Sequence, residues 1–192
     1  MTMRTSACLL SLALACPSLA SQAQSPPAAA AASAAAVRNC TDAAYRGFDF
    51  WLGEWIVHGG PDGNQLQGRN RILRSGNGCW LSEHWTSATG NEGTSLNAWD
   101  ANHGVWRQFW VGADGVVLRL QGGRRDGAMV MEGESPRADG GVQQQRITWT
   151  PADDGNVTQR WETSDDAGAS WQVAFLGVYR RVPAATAPPA VL

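Results

Sequence analysis

The chain contains no Lys: all fifteen of its basic residues are Arg, and seventeen acidic residues leave a formal net charge of −2. A nucleic-acid-binding domain needs a concentrated basic surface, and this composition does not supply one. No apolar run reaches the roughly 20 residues that a membrane-spanning helix needs. We therefore expect no nucleic-acid partner and no transmembrane segment.

Motifs for metal binding and for common enzyme chemistry are also missing. Only three His occur, and none belongs to a His-x-His or His-Glu-x-x-His motif, so a zinc site has no support. There is no Gly-x-Ser-x-Gly elbow, no P-loop, and no Gly-x-Gly-x-x-Gly leading from a strand into a helix. We predict neither a metal nor a cofactor, and no motif specifies a reaction.

Residues 1–23 have the features of a secretory signal peptide. Arg4 supplies the positive end, and residues 7–15 form an apolar run that is too short to span a bilayer. Small residues before Ser21 and Gln24 mark two alternative cleavage sites. A lipid anchor on Cys16 is the weaker alternative, because Leu14 occupies a position where a lipid-attachment motif usually has a small residue. We therefore predict export to the periplasm or beyond.

Composition divides the rest of the chain. Residues 24–38 are rich in Ala and Pro and predict a disordered spacer, residues 39–182 predict the folded domain, and residues 183–192 predict a disordered tail.

Of four Cys, only Cys40 and Cys79 follow the predicted leader. A pair in an exported protein predicts a disulfide, the alternative being two buried free thiols.

Turn signals recur about every ten residues in the predicted domain, a spacing typical of all-β folds. Asp-Gly and Asn-Gly pairs supply the positive φ of tight hairpins. Closure of consecutive hairpins into a barrel removes exposed strand edges. We therefore predict an all-β fold, an antiparallel meander of roughly ten strands closed into a barrel. The strands are predicted at residues 51–58, 66–75, 79–88, 94–100, 105–111, 116–122, 128–134, 142–150, 156–164 and 170–181.

Both faces of these predicted strands mix apolar and polar residues. Trp106, Gln108 and Trp110, for example, share one face, while Arg107 and Phe109 share the other. A compact sandwich would show one cleanly apolar face, whereas a ligand-binding barrel combines aromatic and polar groups inside. The pattern does not decide which face points inward, because a shift of one residue exchanges the two faces.

Trp and amide side chains from several strands form the strongest candidate site. Such groups suit an amphipathic or ring-bearing small molecule, because they offer apolar area and a few oriented hydrogen bonds. The alternative is a Trp-rich core in which the amides bond to the backbone. The predicted ligand-binding residues are Trp85, Asn97, Trp106, Gln108, Trp110, Gln159 and Trp161.

Glu83 and His84 are the candidate acid–base groups. A cavity that holds either group with a perturbed pKa would favour a barrel enzyme, such as an isomerase, cyclase or hydrolase. A filled core would instead favour an interaction module with no ligand. Glu162, two residues after Arg160, is typical of a surface ion pair. Neither the ligand nor the oligomeric state is specified by the sequence.

The order of aromatic motifs adds a resemblance. Residues 48–55 read Phe-Asp-Phe-Trp-Leu-Gly-Glu-Trp, and residues 106–111 read Trp-Arg-Gln-Phe-Trp-Val. The chain resembles a family of exported bacterial proteins of unknown function that open with Phe-Asp-Phe-Trp-x-Gly-x-Trp. The resemblance implies a calycin-like barrel, similar to lipocalins and nitrobindins, in which Trp55 packs across one end. The chain departs after Trp55 from the Gly-rich run of the haem-binding nitrobindins, so the resemblance implies no haem.

Overall fold

A computed structural model describes residues 40–182, so the predicted leader, the lipid-anchor alternative at Cys16, the spacer at 24–38 and the tail at 183–192 lie outside the described residues. Short 3₁₀ segments precede the strands at Ala43–Arg46 and Asp49–Trp51, and another, Gly76–Gly78, joins the second strand to the third. Ten strands follow the first two: β1 (Gly53–Gly59), β2 (Gln65–Ser75), β3 (Trp80–Ser87), β4 (Glu92–Asp100), β5 (Val105–Gly112), β6 (Val117–Arg125), β7 (Ala128–Pro136), β8 (Val142–Pro151), β9 (Val157–Ser164) and β10 (Gln172–Arg181).

The ten strands form a closed barrel. Each strand pairs antiparallel with its neighbour in sequence, and β1 closes the barrel by pairing with β10. The turns use left-handed backbone where the sequence provides Gly, as at Gly115 (φ 86°) and Gly155 (φ 81°), a conformation that other residues adopt at a cost. The prediction of a closed antiparallel meander of roughly ten strands is confirmed.

The opening aromatic stretch differs from its prediction. The sequence predicts a strand that begins at Trp51, but Trp51 ends a 3₁₀ helix, and β1 begins only at Gly53. Gly53 has a φ of 129°, in the region that favours Gly, and it turns the chain into β1. The preceding residues therefore lie across the end of the barrel instead of extending its wall.

These residues contribute to a cluster that fills one end of the barrel. Phe48 and Trp51 are both 0% exposed, and their rings stack with centroids 4.7 Å apart. Trp55 is also buried, and its indole Nε1 donates to the backbone oxygen of Trp51 at 2.9 Å. We call this cluster the aromatic plug; its members are Phe48, Trp51, Trp55, Trp106, Trp149 and Tyr179.

A disulfide between Cys40 and Cys79 ties the segment before the plug to the start of β3, with the two Cα atoms 4.8 Å apart. Arg46 strengthens the same junction, because its Nη2 donates to the backbone oxygens of Cys40 and Gly78. The predicted disulfide is confirmed. Within residues 40–182, no helix has the length and hydropathy needed to cross a bilayer.

The register decides which face of each strand points inward. On β5, Trp106 and Gln108 are buried, whereas Arg107 and Phe109 are exposed. On β9, Val157 is buried while Arg160 is exposed. The interior therefore combines aromatic and polar side chains, as the mixed faces of the predicted strands indicate for a barrel.

Candidate functional site

The barrel is filled by the plug at one end and hollow towards the other. A cavity of about 320 Å³ lies inside the strands and extends to the turns after β3 and β5, where Asn91 and Asp114 line it. Ligand pockets for drug-sized molecules begin at roughly 300 Å³. The cavity is therefore large enough for one small organic molecule.

Aromatic rings form much of the cavity lining. Trp85 and Phe175 meet edge to face, with ring centroids 6.2 Å apart. Trp161 is held by its indole Nε1, which donates to Oε1 of Gln145 at 2.7 Å. We call the four rings near the open end the aromatic wall; they are Trp85, Trp110, Trp161 and Phe175.

Three of these rings lie against Gly residues. A Cβ atom at Gly68 would come within 2.7 Å of Trp85, and one at Gly93 would come within 2.2 Å of Trp110. Any larger residue would displace these rings, since real Cβ atoms do not approach so closely. Gly within strands thus lets the rings lie close to the backbone. The third such pair is Gly177 and Phe175, at 2.8 Å.

Glu83 on β3 is the charged group deepest in the cavity, and it is 4% exposed. Its Oε1 accepts a hydrogen bond from Asn70 Nδ2 at 2.7 Å, and its Oε2 accepts one from Ser95 Oγ at 2.6 Å. Asn70 lies on β2 and Ser95 on β4, the two strands that flank β3. Both carboxylate oxygens are therefore satisfied by neutral donors.

The hydrogen bonds continue on both sides of Glu83. On one side, Asn97 Nδ2 donates to Ser95 Oγ at 2.8 Å, and Gln108 Nε2 donates to Asn97 Oδ1 at 2.8 Å. Every bond on this side is donated towards the carboxylate, an arrangement in which the bonds polarise one another. The side ends at Gln108, which lines the cavity.

The other side runs through Tyr179. Asn70 Nδ2 also donates to the Tyr179 hydroxyl at 3.3 Å, and that hydroxyl donates to Gln159 Oε1. Tyr179 and Gln159 both line the cavity. We call the seven connected residues the Glu83 network; they are Gln159, Tyr179, Asn70, Glu83, Ser95, Asn97 and Gln108.

Burial changes the acidity of this network. It raises the pKa of Glu83 from 4.5 to about 7, against the hydrogen bonds from Ser95 and Asn70, which lower it. Burial also raises the pKa of Tyr179 well above its usual 10, and the negative charge of Glu83 adds to that shift. Glu83 can therefore hold or release a proton near neutral pH, while Tyr179 stays neutral.

Two buried polar atoms near the cavity have no hydrogen-bond partner among the described residues. They are Nε1 of Trp149 and Oδ1 of Asn70. Trp149 lines the cavity, and an indole N–H that is buried without an acceptor is costly.

The structure brings most of the predicted ligand-binding residues together. Asn97 is fully buried and does not line the cavity; it bonds to Ser95 and Gln108. Trp106 does not reach the cavity, because it packs against Phe48 in the plug. The five that line the cavity are Trp85, Gln108, Trp110, Gln159 and Trp161.

The two candidate acid–base residues lie on opposite faces of β3. Glu83 points into the barrel, whereas His84 is exposed on its outer surface, because adjacent residues of a strand point to opposite faces. Glu162 forms ion pairs with Arg160 at 2.8 Å and Arg146 at 3.0 Å. Burial alone would raise the pKa of Glu162, but the hydrogen bonds and charges of the two Arg residues hold it below its usual value.

Several residues of the site were not predicted from the sequence. Asn70, Ser95 and Tyr179 complete the Glu83 network, and Phe175 and Trp149 contribute rings. A usable signal is present in Gly68 and Gly177, which lie inside predicted strands, since such Gly often mark a close approach of another group. Gly inside a strand indicates that an aromatic ring packs on the backbone there, but it does not identify the ring.

No protein-family model matches the chain, and no curated protein sequence matches it. The resemblance to the exported family with the Phe-Asp-Phe-Trp opening therefore stays a prediction, and the barrel rests on the strand pairing alone. Across residues 40–182, no group of three or more His, Cys, Asp or Glu is arranged to hold a metal ion.

Removing the Tyr179 hydroxyl should test the network. In Tyr179→Phe, Asn70 and Gln159 each lose a partner, and we expect the free energy of unfolding to fall by about 1–2 kcal/mol. Urea denaturation would measure it. Tyr45→Phe is the matched control, because the chain has only one other Tyr and its hydroxyl makes no hydrogen bond within the described residues. Equal losses in both variants would contradict a role for the Tyr179 hydroxyl.

Proposed function

We propose that the protein is an exported β-barrel that binds a small amphipathic molecule in the open half of its interior. The carrying observation is the cavity of about 320 Å³, which has an aromatic wall and a polar network at its inner surface. A barrel with a filled core, as expected of an interaction module with no ligand, would have no such cavity. The Cys40–Cys79 disulfide supports export, because such bonds persist in oxidising compartments.

The lining suggests how a ligand would be oriented. Its ring or apolar part would pack on the aromatic wall, where three of the four rings are Trp. Its polar part would reach Glu83, Gln108 or Gln159, whose side chains are fixed by hydrogen bonds before anything binds. Groups fixed in advance lose little freedom on binding, which favours affinity.

Native mass spectrometry of the protein purified from its own host would test the proposal, before and after mild denaturation. We expect a small molecule that is released on unfolding. Trp110→Ala should reduce its occupancy, because Trp110 lines the cavity. Phe109→Ala is the matched control, since Phe109 is the neighbouring residue on the outer face. A bare mass, with Trp fluorescence unmoved by lipids and aromatic compounds, would contradict ligand binding.

Catalysis is a second candidate function, and Glu83 is the observation that favours it. A carboxyl group with a pKa of about 7 in a cavity is suited to proton transfer at neutral pH. An isomerase, cyclase or hydrolase would use that group. Incubation of the co-purified molecule with wild type and with Glu83→Gln decides between the functions, because an enzyme converts it only in the wild type.

A further inference from the structure

All charged residues in the cavity lining are acids. Glu83 lies deep inside, and Glu92 and Asp114 lie at the open end. Among the described lining residues there is no Arg and no His. Arg residues of the surrounding strands are exposed on the outer surface instead, as Arg71 and Arg107 show. An anionic head group in this cavity would therefore meet three carboxyl groups and no opposite charge.

The aromatic wall independently favours a positive charge. Cations bind over the faces of aromatic rings, and Trp is the strongest of these partners. The aromatic wall contributes three Trp rings and one Phe ring to the lining of the cavity that contains Glu83. A ring-lined space with a carboxylate at its inner surface resembles the aromatic cages that bind ammonium groups.

Glu83 has no counter-ion among the described residues. Its oxygens accept from Asn70 and Ser95, both of which are neutral, and a buried carboxylate without an opposite charge is unfavourable. A ligand cation would supply that charge.

We propose that the cavity selects amphipathic cations, namely molecules that combine an ammonium group with an aromatic or apolar body, and that Glu83 is the counter-ion. The inference rests on the proposed function, because it assigns the charge of the ligand in that same cavity. It separates this barrel from one that binds fatty-acid carboxylates, which would need a basic side chain inside.

The groups that face Glu83 fix how binding should depend on pH. From β2 and β4 they are the neutral Asn70 and Ser95, and from β10 the group is Tyr179, whose raised pKa keeps it neutral. Glu92 and Asp114 are exposed at the mouth. Burial raises the pKa of Glu83 to about 7, so Glu83 gains its negative charge as the pH rises through neutrality.

Three probes of similar size and different charge test the inference on the wild-type protein. They are benzyltrimethylammonium, phenylbutanol and phenylbutyrate, and the first stays cationic at every pH. Titration calorimetry between pH 5 and pH 8 should show the ammonium binding most tightly. Its affinity should rise by about a hundredfold over this range, and binding at pH 6 should release about one proton per ligand.

Glu83→Gln should remove this pH dependence and most of the preference for the cation. Glu54→Gln is the matched control, because Glu54 is an exposed Glu on the outer face of β1. If phenylbutyrate or phenylbutanol binds as tightly as the ammonium, or if the affinity of the ammonium is independent of pH, the charge assignment is overturned while ligand binding stands. If none of the three probes binds, the assignment also fails, and the co-purification experiment judges the proposed function separately.

Discussion

Replacing Glu83 by Gln is expected to remove a large pH dependence from the stability of the barrel. Burial raises the pKa of Glu83 from 4.5 to about 7, so between these values the folded protein holds a proton that the unfolded chain releases. The stabilisation is complete below about pH 4.5 and is lost as the pH rises through 7. The shift corresponds to about 3 kcal/mol between the two ends of this range.

Urea denaturation of the wild type and of Glu83→Gln, at intervals from pH 4.5 to pH 8, would measure this effect. The relevant quantity is the difference in unfolding free energy between the two proteins, because the titration of all other groups cancels from it. The free energy of unfolding of the variant should rise by about 3 kcal/mol relative to that of the wild type over this pH range. Glu54→Gln should show no such change, and a constant difference for Glu83→Gln would rule out a titrating Glu83.

Gln is a suitable replacement because it is uncharged and the site offers an acceptor for one of its new donors. The carboxylate accepts two hydrogen bonds, and the new amide would add two donors where Glu83 has none when ionised. Oδ1 of Asn70 has no partner among the described residues, so it could accept one of them after a local rotation. The same oxygen could accept the proton of a neutral Glu83. The variant therefore represents the protonated form of the site.

Local chemistry in the sequence was enough to predict the barrel. Asp-Gly and Asn-Gly pairs mark tight turns, and most of the predicted strands agree with the observed ones to within a few residues. The start of β1 is the exception, because the run of aromatic residues predicts a strand from residue 51 whereas β1 begins at Gly53. Trp51 belongs to the plug because Gly53 redirects the chain, and aromatic content alone does not reveal such a turn.

The site could be predicted only in part, because it depends on register and on depth. Trp106 and Trp110 share a face of β5, but they lie four residues apart, roughly 13 Å along the strand. Trp106 therefore packs in the plug while Trp110 lines the cavity. Asn70 and Tyr179 are separated by 109 residues, and only closure of β1 on β10 brings them together. No local pattern contains that information.

Loss of the Cys40–Cys79 disulfide is expected to have the largest effect on stability. The bond joins residues 39 apart in sequence, and closing a loop of this length stabilises a folded protein by about 4 kcal/mol in the chain-entropy model. The loop contains the 3₁₀ segments of the plug together with β1 and β2. The double variant Cys40→Ser with Cys79→Ser should therefore unfold at a much lower urea concentration than the wild type.

The position of the bond predicts that ligand binding will weaken as well. Arg46 donates to the backbone oxygens of Cys40 and Gly78, so the disulfide and this side chain hold the same junction below the plug. Trp149 packs against Phe48 and Trp51 and also lines the cavity. A loosened plug would therefore disturb the inner surface of the cavity. The affinity for benzyltrimethylammonium would be measured with and without reductant, under conditions in which the protein stays folded. We expect it to fall on reduction. The double variant is the control, because reductant should not change its affinity. Unchanged affinity together with unchanged urea midpoints would show that Arg46 and the packed rings hold the plug without the disulfide.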